Sequence, residues 1–186
     1  MKKHLMIICA LISSVLCGCS TVYQSTYGVA VEERSVKTIA SDEKIKLTIQ
    51  QRFLQDDTVK ILDISTYCYY GQVYLVGEYE TEKERDRAMQ LASTASGVKS
   101  VIPYLLRKKK SDTCGITDNL EISTKLKAKL IADKDIWSTN IDVKVVQCNV
   151  VLLGIVGSEN EIAKAIAHAK SVGSVRDVTS YLKATR

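Results

Sequence analysis

The chain has 186 residues, a formal net charge of +5 and six cysteines, but only two histidines. That length is enough for two small domains or for one domain of ordinary size. The sequence contains no Cys-x-x-Cys pair, no two histidines at metal-binding spacing, no glycine-rich phosphate loop and no nucleophile elbow. We therefore expect a protein that is not an enzyme and that needs no metal or cofactor.

The amino terminus, residues 1–18, has the pattern of a secretory signal peptide. Lys2 and Lys3 give it a positive start, and an apolar stretch follows from Leu5 to Leu16. Such a stretch is too short to cross a bilayer, which takes about 20 residues, so a transmembrane anchor is disfavoured.

The segment that ends this signal, Leu16-Cys17-Gly18-Cys19, resembles the lipobox of bacterial lipoproteins. The resemblance implies that Cys19 is acylated and becomes the mature amino terminus, and that Ser20 after it directs release to the outer membrane. Two or more acyl chains hold a protein stably to a membrane. Without this modification the protein would be soluble in the periplasm. Residues 19–41 mix Ser, Thr, Gly and charges without a sustained period, which predicts a lipidated tether.

The rest of the chain is a duplication. When residues 44–105 are shifted by 77 positions, they fall without a gap on residues 121–182. Matched pairs include Ile45 with Ile122, Asp56 with Asp133, Val73 with Val150, Gly77 with Gly154, Glu84 with Glu161 and Tyr104 with Tyr181. The repeat predicts two copies of one fold, at 42–106 and 118–186, joined by a basic linker over 107–117.

Each copy begins with a predicted helix. In the first copy Ile45, Ile49 and Phe53 recur at a spacing of four, as on the buried face of a helix, with Asp42 at the expected cap. In the second copy the same positions hold Ile122, Leu126 and Leu130.

A hairpin, a second helix and a last strand are predicted to follow. Residues 64–68 alternate apolar and polar, a tight turn comes at Gly71, and a return strand over 73–79 contains Gly77. A glycine inside a strand suggests that another part of the chain approaches closely. The order helix, strand, strand, helix, strand predicts an α+β fold, in which each αββαβ module is a three-stranded sheet covered by two helices.

Three motifs in each copy resemble the BON domain, a bacterial periplasmic module: a Val-x-Leu-x-Gly strand, an acidic helix start and a Gly-Val-x-x-Val close. The strand and the close lie at 73–77 and 97–101 in the first copy and at 150–154 and 174–178 in the second. The second copy departs by carrying Ser174 where the glycine belongs. With the lipobox, the whole chain resembles the outer-membrane lipoproteins that have two BON domains. The resemblance implies a lipid-anchored protein facing the periplasm, which binds anionic phospholipid such as phosphatidylglycerol or cardiolipin through its second module. It also implies support of outer-membrane integrity, often at the division site.

The first helix of the second copy holds the residues that fit this role. Lys125, Lys127 and Lys129 are basic where the first copy has Thr48, Gln50 and Arg52, and apolar groups follow near the helix ends at Leu120, Ile131 and Trp137. A basic residue near an anionic surface gains about 1 kcal/mol, and an aromatic ring suits the interface. Two alternatives stay open: the lysines form a solvated face, and Trp137 packs between helix and strand. Glu121 stands where the family carries an aromatic residue, and it should repel an anionic membrane.

The linker carries the densest basic run, Arg107-Lys108-Lys109-Lys110, which predicts either a solvated linker or a membrane contact through Lys108 and Lys109. Nucleic acid is not expected as a partner, because the compartment contains none. An alternative function is that of a periplasmic chaperone or assembly factor for outer-membrane proteins, acting through exposed sheet edges or grooves. An apolar groove between the modules would favour it.

If Cys19 is acylated, three cysteines remain in an oxidising compartment. Cys68 lies in an alternating strand and is expected to be a small buried hydrophobe. Cys114 lies between the copies and Cys148 in the second hairpin turn, so a disulfide between them is geometrically conceivable. It would contribute about 4 kcal/mol in the chain-entropy model.

Overall fold

The computed structural model describes residues 34–109 and 111–185. The predicted signal peptide, Cys19 and most of the predicted tether lie outside the described residues. The elements of the first module are α1 (Val36–Leu54), β1 (Ile64–Tyr69), β2 (Gln72–Tyr79), α2 (Glu82–Ser93) and β3 (Ser100–Arg107). Those of the second are α3 (Ile116–Ala132), a 3-10 turn (Ser138–Asn140), β4 (Ile141–Val146), β5 (Asn149–Val156), α4 (Glu159–Lys170) and β6 (Asp177–Ala184).

Each module has a three-stranded sheet, in the order β1-β2-β3 and β4-β5-β6. The first two strands of each sheet are antiparallel, and the third runs parallel to the second. The register also repeats, since Ile64 pairs with Gly77 and Ile141 with Gly154. The α+β prediction of two αββαβ modules is confirmed.

The core of each module lies between its sheet and its two helices. Ile45, Ile49 and Phe53 are buried on α1, and Ile122 and its partners at the same spacing are buried on α3. The second helices contribute alanines, Ala88 and Ala92 in α2, whose small side chains let the helix lie close to the sheet.

The prediction that Asp42 caps the first helix is wrong. That helix begins six residues earlier, at Val36, and its N-cap is Ser35, whose hydroxyl accepts from the Thr38 N–H. The end of the predicted tether is therefore helical. This first stretch has few buried side chains and hence no apolar period by which it could be recognised. The second module's helix likewise begins at Ile116, inside the predicted linker.

Asp42 instead holds the β1–β2 turn. Its buried carboxylate accepts from the N–H groups of Tyr70 and Gly71, each at 2.8 Å, and pairs with Arg34 at 2.7 Å. In the second module Asn119 takes the same position, and its side-chain oxygen accepts from the Cys148 N–H at 2.9 Å.

A second buried carboxylate repeats in both modules. Glu84 accepts from the N–H groups of Lys60 and Glu80, and Glu161 accepts from those of Trp137 and Gly157. Each glutamate thus ties the loop before the hairpin to the turn after it. Glu84 therefore does more than begin a helix.

Gly77 and Gly154 lie where two stretches of backbone meet. A Cβ at Gly77 would stand 2.0 Å from the carbonyl oxygen of Asp63, and one at Gly154 would stand 2.0 Å from that of Asn140. The close approach expected from the sequence is made by the backbone just before each hairpin.

The two modules pack through the faces of their sheets that the helices leave uncovered. Val76, Val146, Leu153 and other buried apolar side chains form a shared cluster, in which the rings of Tyr74 and Tyr181 lie 5.1 Å apart. The Gln147 side-chain amide of the second module donates to Glu78 and to the Arg107 carbonyl of the first, both at 2.9 Å. The packing places α3 beside a loop of the first module.

Candidate functional site

Helix α3 has an exposed apolar side as well as a buried one. Ile116, Leu120 and Ile131 are 88%, 66% and 72% exposed. At about 100° per residue these three lie within a sector of about 60°, and Lys127 lies inside the same sector. We call this sector, with the 55% exposed Trp137 that follows the helix, the α3 apolar face. Its extent along the axis is about 22 Å.

The three predicted lysines do not form one patch. Lys125 and Lys129 are about 160° around the helix from Lys127, and all three are exposed. Lys125 forms an ion pair with Glu121 one turn away. That pairing offsets the repulsion expected from Glu121, and it leaves Lys127 as the lysine among the apolar side chains.

Trp137 is fixed by its backbone and free at its ring. Its backbone N–H donates to the buried carboxylate of Glu161 at 2.7 Å, while its side chain is more than half exposed. A hollow of about 210 Å³ is lined by Lys127, Leu130, Ile131 and Ile141 and by Ser138 and Thr139, which follow Trp137 in the chain. An ammonium group and two hydroxyls at one hollow suit a phosphate.

The predicted linker lysines have other surroundings. Lys108 donates to Asp63 at 2.6 Å and lies 3.7 Å from Glu80. The hydrogen bond to Asp63 raises the pKa of Lys108. Lys108 thus binds two parts of the first module together, whereas Lys109 is exposed.

A groove runs between α3, β4 and the first module. It has a volume of about 440 Å³. Its lining includes Leu62, Asp63, Glu78 and Lys108 of the first module, Ile116, Leu120 and Ser123 of α3, and residues 143–146 of β4. Leu62 is 93% exposed. We call this the β4 groove.

The first module has an equivalent groove beside β1, which we call the β1 groove. Its lining residues include Ile39, Asp42, Glu43, Lys46 and the stretch 67–69, which correspond by the 77-residue shift to Ile116, Asn119, Leu120, Ser123 and 144–146. Its volume is about 80 Å³. Arg34 lies in it, donating to Asp42 and to the Cys68 carbonyl, and its guanidinium is 5.0 Å from the Tyr69 ring centre.

The cysteines have separate roles. Cys114 and Cys148 are joined by a disulfide with their Cα atoms 5.8 Å apart, which ties the segment before α3 to the β4–β5 turn. Cys68 is a free, buried thiol that donates to Asp42 at 3.4 Å. Burial, with the Asp42 carboxylate nearby, raises the pKa of Cys68 to about 12.

A histidine joins the end of α3 to α4. His168 lies 2.8 Å from Asp133, which follows the last residue of α3 and which Lys164 also approaches. The hydrogen bond to His168 holds the pKa of Asp133 below its usual value. Over 34–109 and 111–185, no three His, Cys, Asp or Glu side chains are grouped to hold a metal ion, and no helix is long and apolar enough to cross a bilayer.

Sequence reasoning missed two of the exposed apolar residues, Leu62 and Ile116. Ile116 is one turn before Leu120, and its place would have followed from the correct start of α3. Leu62 lies in a loop, where no periodic signal exists.

Both modules match one known family. The model of the BON domain matches residues 41–106 and 118–186. The chain belongs to the BON-domain family.

Three curated relatives are similar over most of the chain. Osmotically-inducible protein Y of Escherichia coli strain K12 is 28% identical, over 80% of this chain and 75% of that protein. The outer membrane lipoprotein DolP of Haemophilus influenzae is 27% identical, over 83% and 80% respectively. The 21 kDa hemolysin of Actinobacillus pleuropneumoniae is 27% identical, over 82% and 77%.

Proposed function

We propose that this BON-domain protein binds anionic phospholipid, phosphatidylglycerol or cardiolipin, through the α3 apolar face of its second module. In this proposal it is a lipoprotein held by Cys19 in the outer membrane, facing the periplasm, and it supports the integrity of that membrane, including at the division site. The lipobox-like segment at 16–19 and the similarity to the outer membrane lipoprotein DolP support this location.

The observation that carries the proposal is the exposed apolar side of α3 with a lysine inside it. An exposed leucine or isoleucine that enters an apolar phase gains about 1.5 to 3 kcal/mol when fully buried. A lysine close to anionic headgroups adds about 1 kcal/mol, and a tryptophan prefers the interface. Apolar groups, a cation and an aromatic ring on one side of a helix are what a surface-bound helix needs.

The hollow at the 3-10 turn suggests how a headgroup would be held. Lys127 would pair with the lipid phosphate, while the Ser138 and Thr139 hydroxyls donate hydrogen bonds to its oxygens. Charge attraction of this kind favours anionic lipids over zwitterionic ones, and salt should weaken it.

The first module lacks this combination, which supports assigning the role to the second. By the 77-residue shift, Leu120 corresponds to Glu43, Lys127 to Gln50 and Trp137 to Lys60. The hydroxyls of Ser138 and Thr139 have no counterpart either, since the shift places these residues on Ile61 and Leu62.

The experiment uses the one tryptophan of the chain as its own reporter. Residues 20–186, which carry both modules and lack Cys19, are mixed with vesicles of phosphatidylglycerol, of cardiolipin or of phosphatidylcholine, and Trp137 emission is recorded at low and high salt. We expect a blue shift with the anionic vesicles that high salt reduces. Equal shifts with phosphatidylcholine would contradict the proposal.

Equivalent positions of the repeat supply a matched pair of variants. Ile131 is 72% exposed on α3, and Leu54, its counterpart on α1, is 71% exposed. Ile131→Glu should abolish most of the vesicle binding, whereas Leu54→Glu should leave it unchanged. If both variants bind like the unaltered protein, the lipid does not contact α3.

A second candidate function, that of an assembly factor for outer-membrane proteins, is favoured by one observation, the β4 groove between the modules.

A further inference from the structure

β4 is the edge strand of its sheet, and within the described residues no strand pairs with its outer side. The β4–β5 turn has two central residues, Gln147 and Cys148, both with positive φ. The flanking residues Val146 and Asn149 therefore form a backbone hydrogen-bonded pair. From there, non-hydrogen-bonded and hydrogen-bonded pairs alternate along the strand. Val143 and Val145 consequently direct their N–H and C=O groups away from β5.

The β4 groove lies along these outward groups. The side chains of Val143 and Val145 are buried in the module core, so their contribution to the groove is through the backbone. One wall is α3, with Ile116 and Leu120, and the other belongs to the first module, with Leu62. An unpaired strand edge between two apolar walls is a site for an added strand.

The first module supports this assignment of the outward groups, because there one of them has a partner. Cys68 corresponds to Val145, and its carbonyl oxygen accepts from the Arg34 guanidinium at 3.3 Å. Arg34 corresponds to Ser111, whose side chain is too short to act in the same way. A charged group directed at an edge strand blocks pairing with another chain. The edge of β1 is thus covered and that of β4 is open.

Two carboxylates that line the groove have partners, since Asp63 accepts from Lys108 and Glu78 accepts from Gln147. Lys144 therefore indicates the chemistry of the occupant. Lys144 lies on the face of β4 opposite to Val143 and Val145, toward the first module. Among the described residues, its ammonium group has no hydrogen bond and no ion pair. An added strand would place every second side chain against Ile116 and Leu120, and the others beside Lys144.

We propose that the β4 groove binds an extended segment of another polypeptide as a fourth strand, with apolar residues alternating with residues that include an acidic one. The backbone of Val143 and Val145 supplies the hydrogen bonds, the apolar walls select the alternate apolar side chains, and Lys144 selects the carboxylate. This site shares Ile116 and Leu120 with the α3 apolar face, but its strand edge, Leu62 and Lys144 take no part in the proposed lipid binding. It gives the second candidate function a location.

The test uses a fluorescein-labelled peptide, Thr-Val-Glu-Val-Thr-Val-Glu-Thr, with residues 20–186. We expect its anisotropy to rise on binding, and we expect the amide hydrogens of Val143 and Val145 to exchange more slowly when it is present. The amides of Thr66 and Cys68, at the covered edge, should not change. The same peptide with proline at alternate positions should not bind, because it lacks the donors for a strand ladder.

Two variants keep the test falsifiable. Val145→Pro removes an outward N–H while leaving the bonds to β5 in place, and should weaken peptide binding about tenfold. Leu62→Asp changes a fully exposed side chain of the groove wall and should weaken it at least fivefold, whereas Leu47→Asp, on the exposed side of α1, should have no effect. Vesicle binding should be unchanged in Leu62→Asp, which separates this site from the lipid site.

Three results would overturn the proposal. Peptide binding that survives both Val145→Pro and Leu62→Asp would place the peptide elsewhere. Protection of Val143 and Val145 that grows with protein concentration in the absence of peptide would assign the edge to a second copy of the chain. If lysophospholipid displaced the labelled peptide, and the peptide did not protect the amides of Val143 and Val145, the groove would be assigned to an acyl chain.

Discussion

The β1 groove and the β4 groove occupy equivalent positions in two copies of one fold, but their volumes are about 80 and 440 Å³. The first is filled by charged groups: Arg34 enters it, and Glu43 pairs with Lys46 at its rim. In the second, Leu120 and Ser123 replace that ion pair. The scaffold is thus held constant while one surface is closed and the other is left open.

The same contrast extends to how each hairpin turn is held. In the first module a buried carboxylate, Asp42, binds the turn and is balanced by Arg34. In the second a neutral amide, Asn119, binds it, and a disulfide from Cys114 adds a covalent tie. Without a buried carboxylate, the second module needs no arginine in its groove. This is a physical reason why its groove can stay open.

The largest expected effect comes from removing the disulfide. Its removal should destabilise the second module and not the first. Cys114 and Cys148 are 34 residues apart, and closing a loop of that length contributes about 4 kcal/mol in the chain-entropy model. Replacing both by Ala should lower the free energy of unfolding by about that amount in urea. Reductant should have a similar effect on the unaltered protein and none on the variant. If the variant had the same urea midpoint as the unaltered protein, the disulfide would not stabilise the second module.

The shared glycines test how far the copies are alike. Gly77→Ala and Gly154→Ala should each cost about 3 kcal/mol, because the new Cβ meets a backbone carbonyl that cannot easily move. Gly154 should be the more sensitive, since its φ of +144° also disfavours a side chain. Gly173→Ala is the control, because no atom lies within 4 Å of the added carbon. Thermal or urea unfolding measures all three, and a neutral Gly77→Ala would contradict the close approach.

The parts of the fold that repeat were predictable from the sequence, and the parts that differ were harder. The stripe of Ile45, Ile49 and Phe53 predicted a helix because burial imposes a period. The first turns of α1 are mostly polar on the surface and gave no such signal. Asp42 was misassigned for a related reason: a buried carboxylate that binds a distant turn has the same local pattern as a helix cap.

The site divides in the same way. Leu120, Ile131 and Trp137, which were named from the sequence, are exposed, and their role in lipid binding stays a prediction. Spacing along the chain placed Lys127 close to Lys125, whereas rotation around the helix separates them. The β4 groove needs residues from both modules, and packing between modules leaves no local mark on a sequence.

Removing Arg34 should make the β1 groove resemble the β4 groove. Arg34→Ala leaves Asp42 with its two backbone donors but without the hydrogen bond from its charged partner, at a cost of about 2 kcal/mol. It should also expose Cys68, whose pKa of about 12 keeps the thiol protonated and slow to alkylate at pH 8.

The rate of iodoacetamide labelling at Cys68 measures this opening. Arg34 lowers the pKa of Cys68, so its removal raises that pKa further, and faster labelling of the variant would report access alone. Labelling should accelerate in both proteins as the pH rises toward 12, because the thiolate is the reactive form. Arg52→Ala, away from the groove, is the control. Equal rates for Arg34→Ala and the unaltered protein would show that Arg34 does not close the groove.

The smallest expected effect distinguishes the two sides of α3. Lys127→Glu and Lys125→Glu change the net charge equally, so a general attraction to an anionic vesicle would weaken by the same factor in both. If the lipid contacts the α3 apolar face, Lys127→Glu should weaken binding to phosphatidylglycerol vesicles about tenfold, since about 1 kcal/mol of attraction is lost and a similar repulsion is added. Lys125→Glu should weaken it about twofold, because Lys125 lies on the other side and is already paired with Glu121. Co-flotation at two salt concentrations measures both, and the difference between the variants should shrink as the salt rises. A larger effect at Lys125 would mean that the membrane-binding side of α3 lies about half a turn around the helix from Ile116, Leu120 and Ile131.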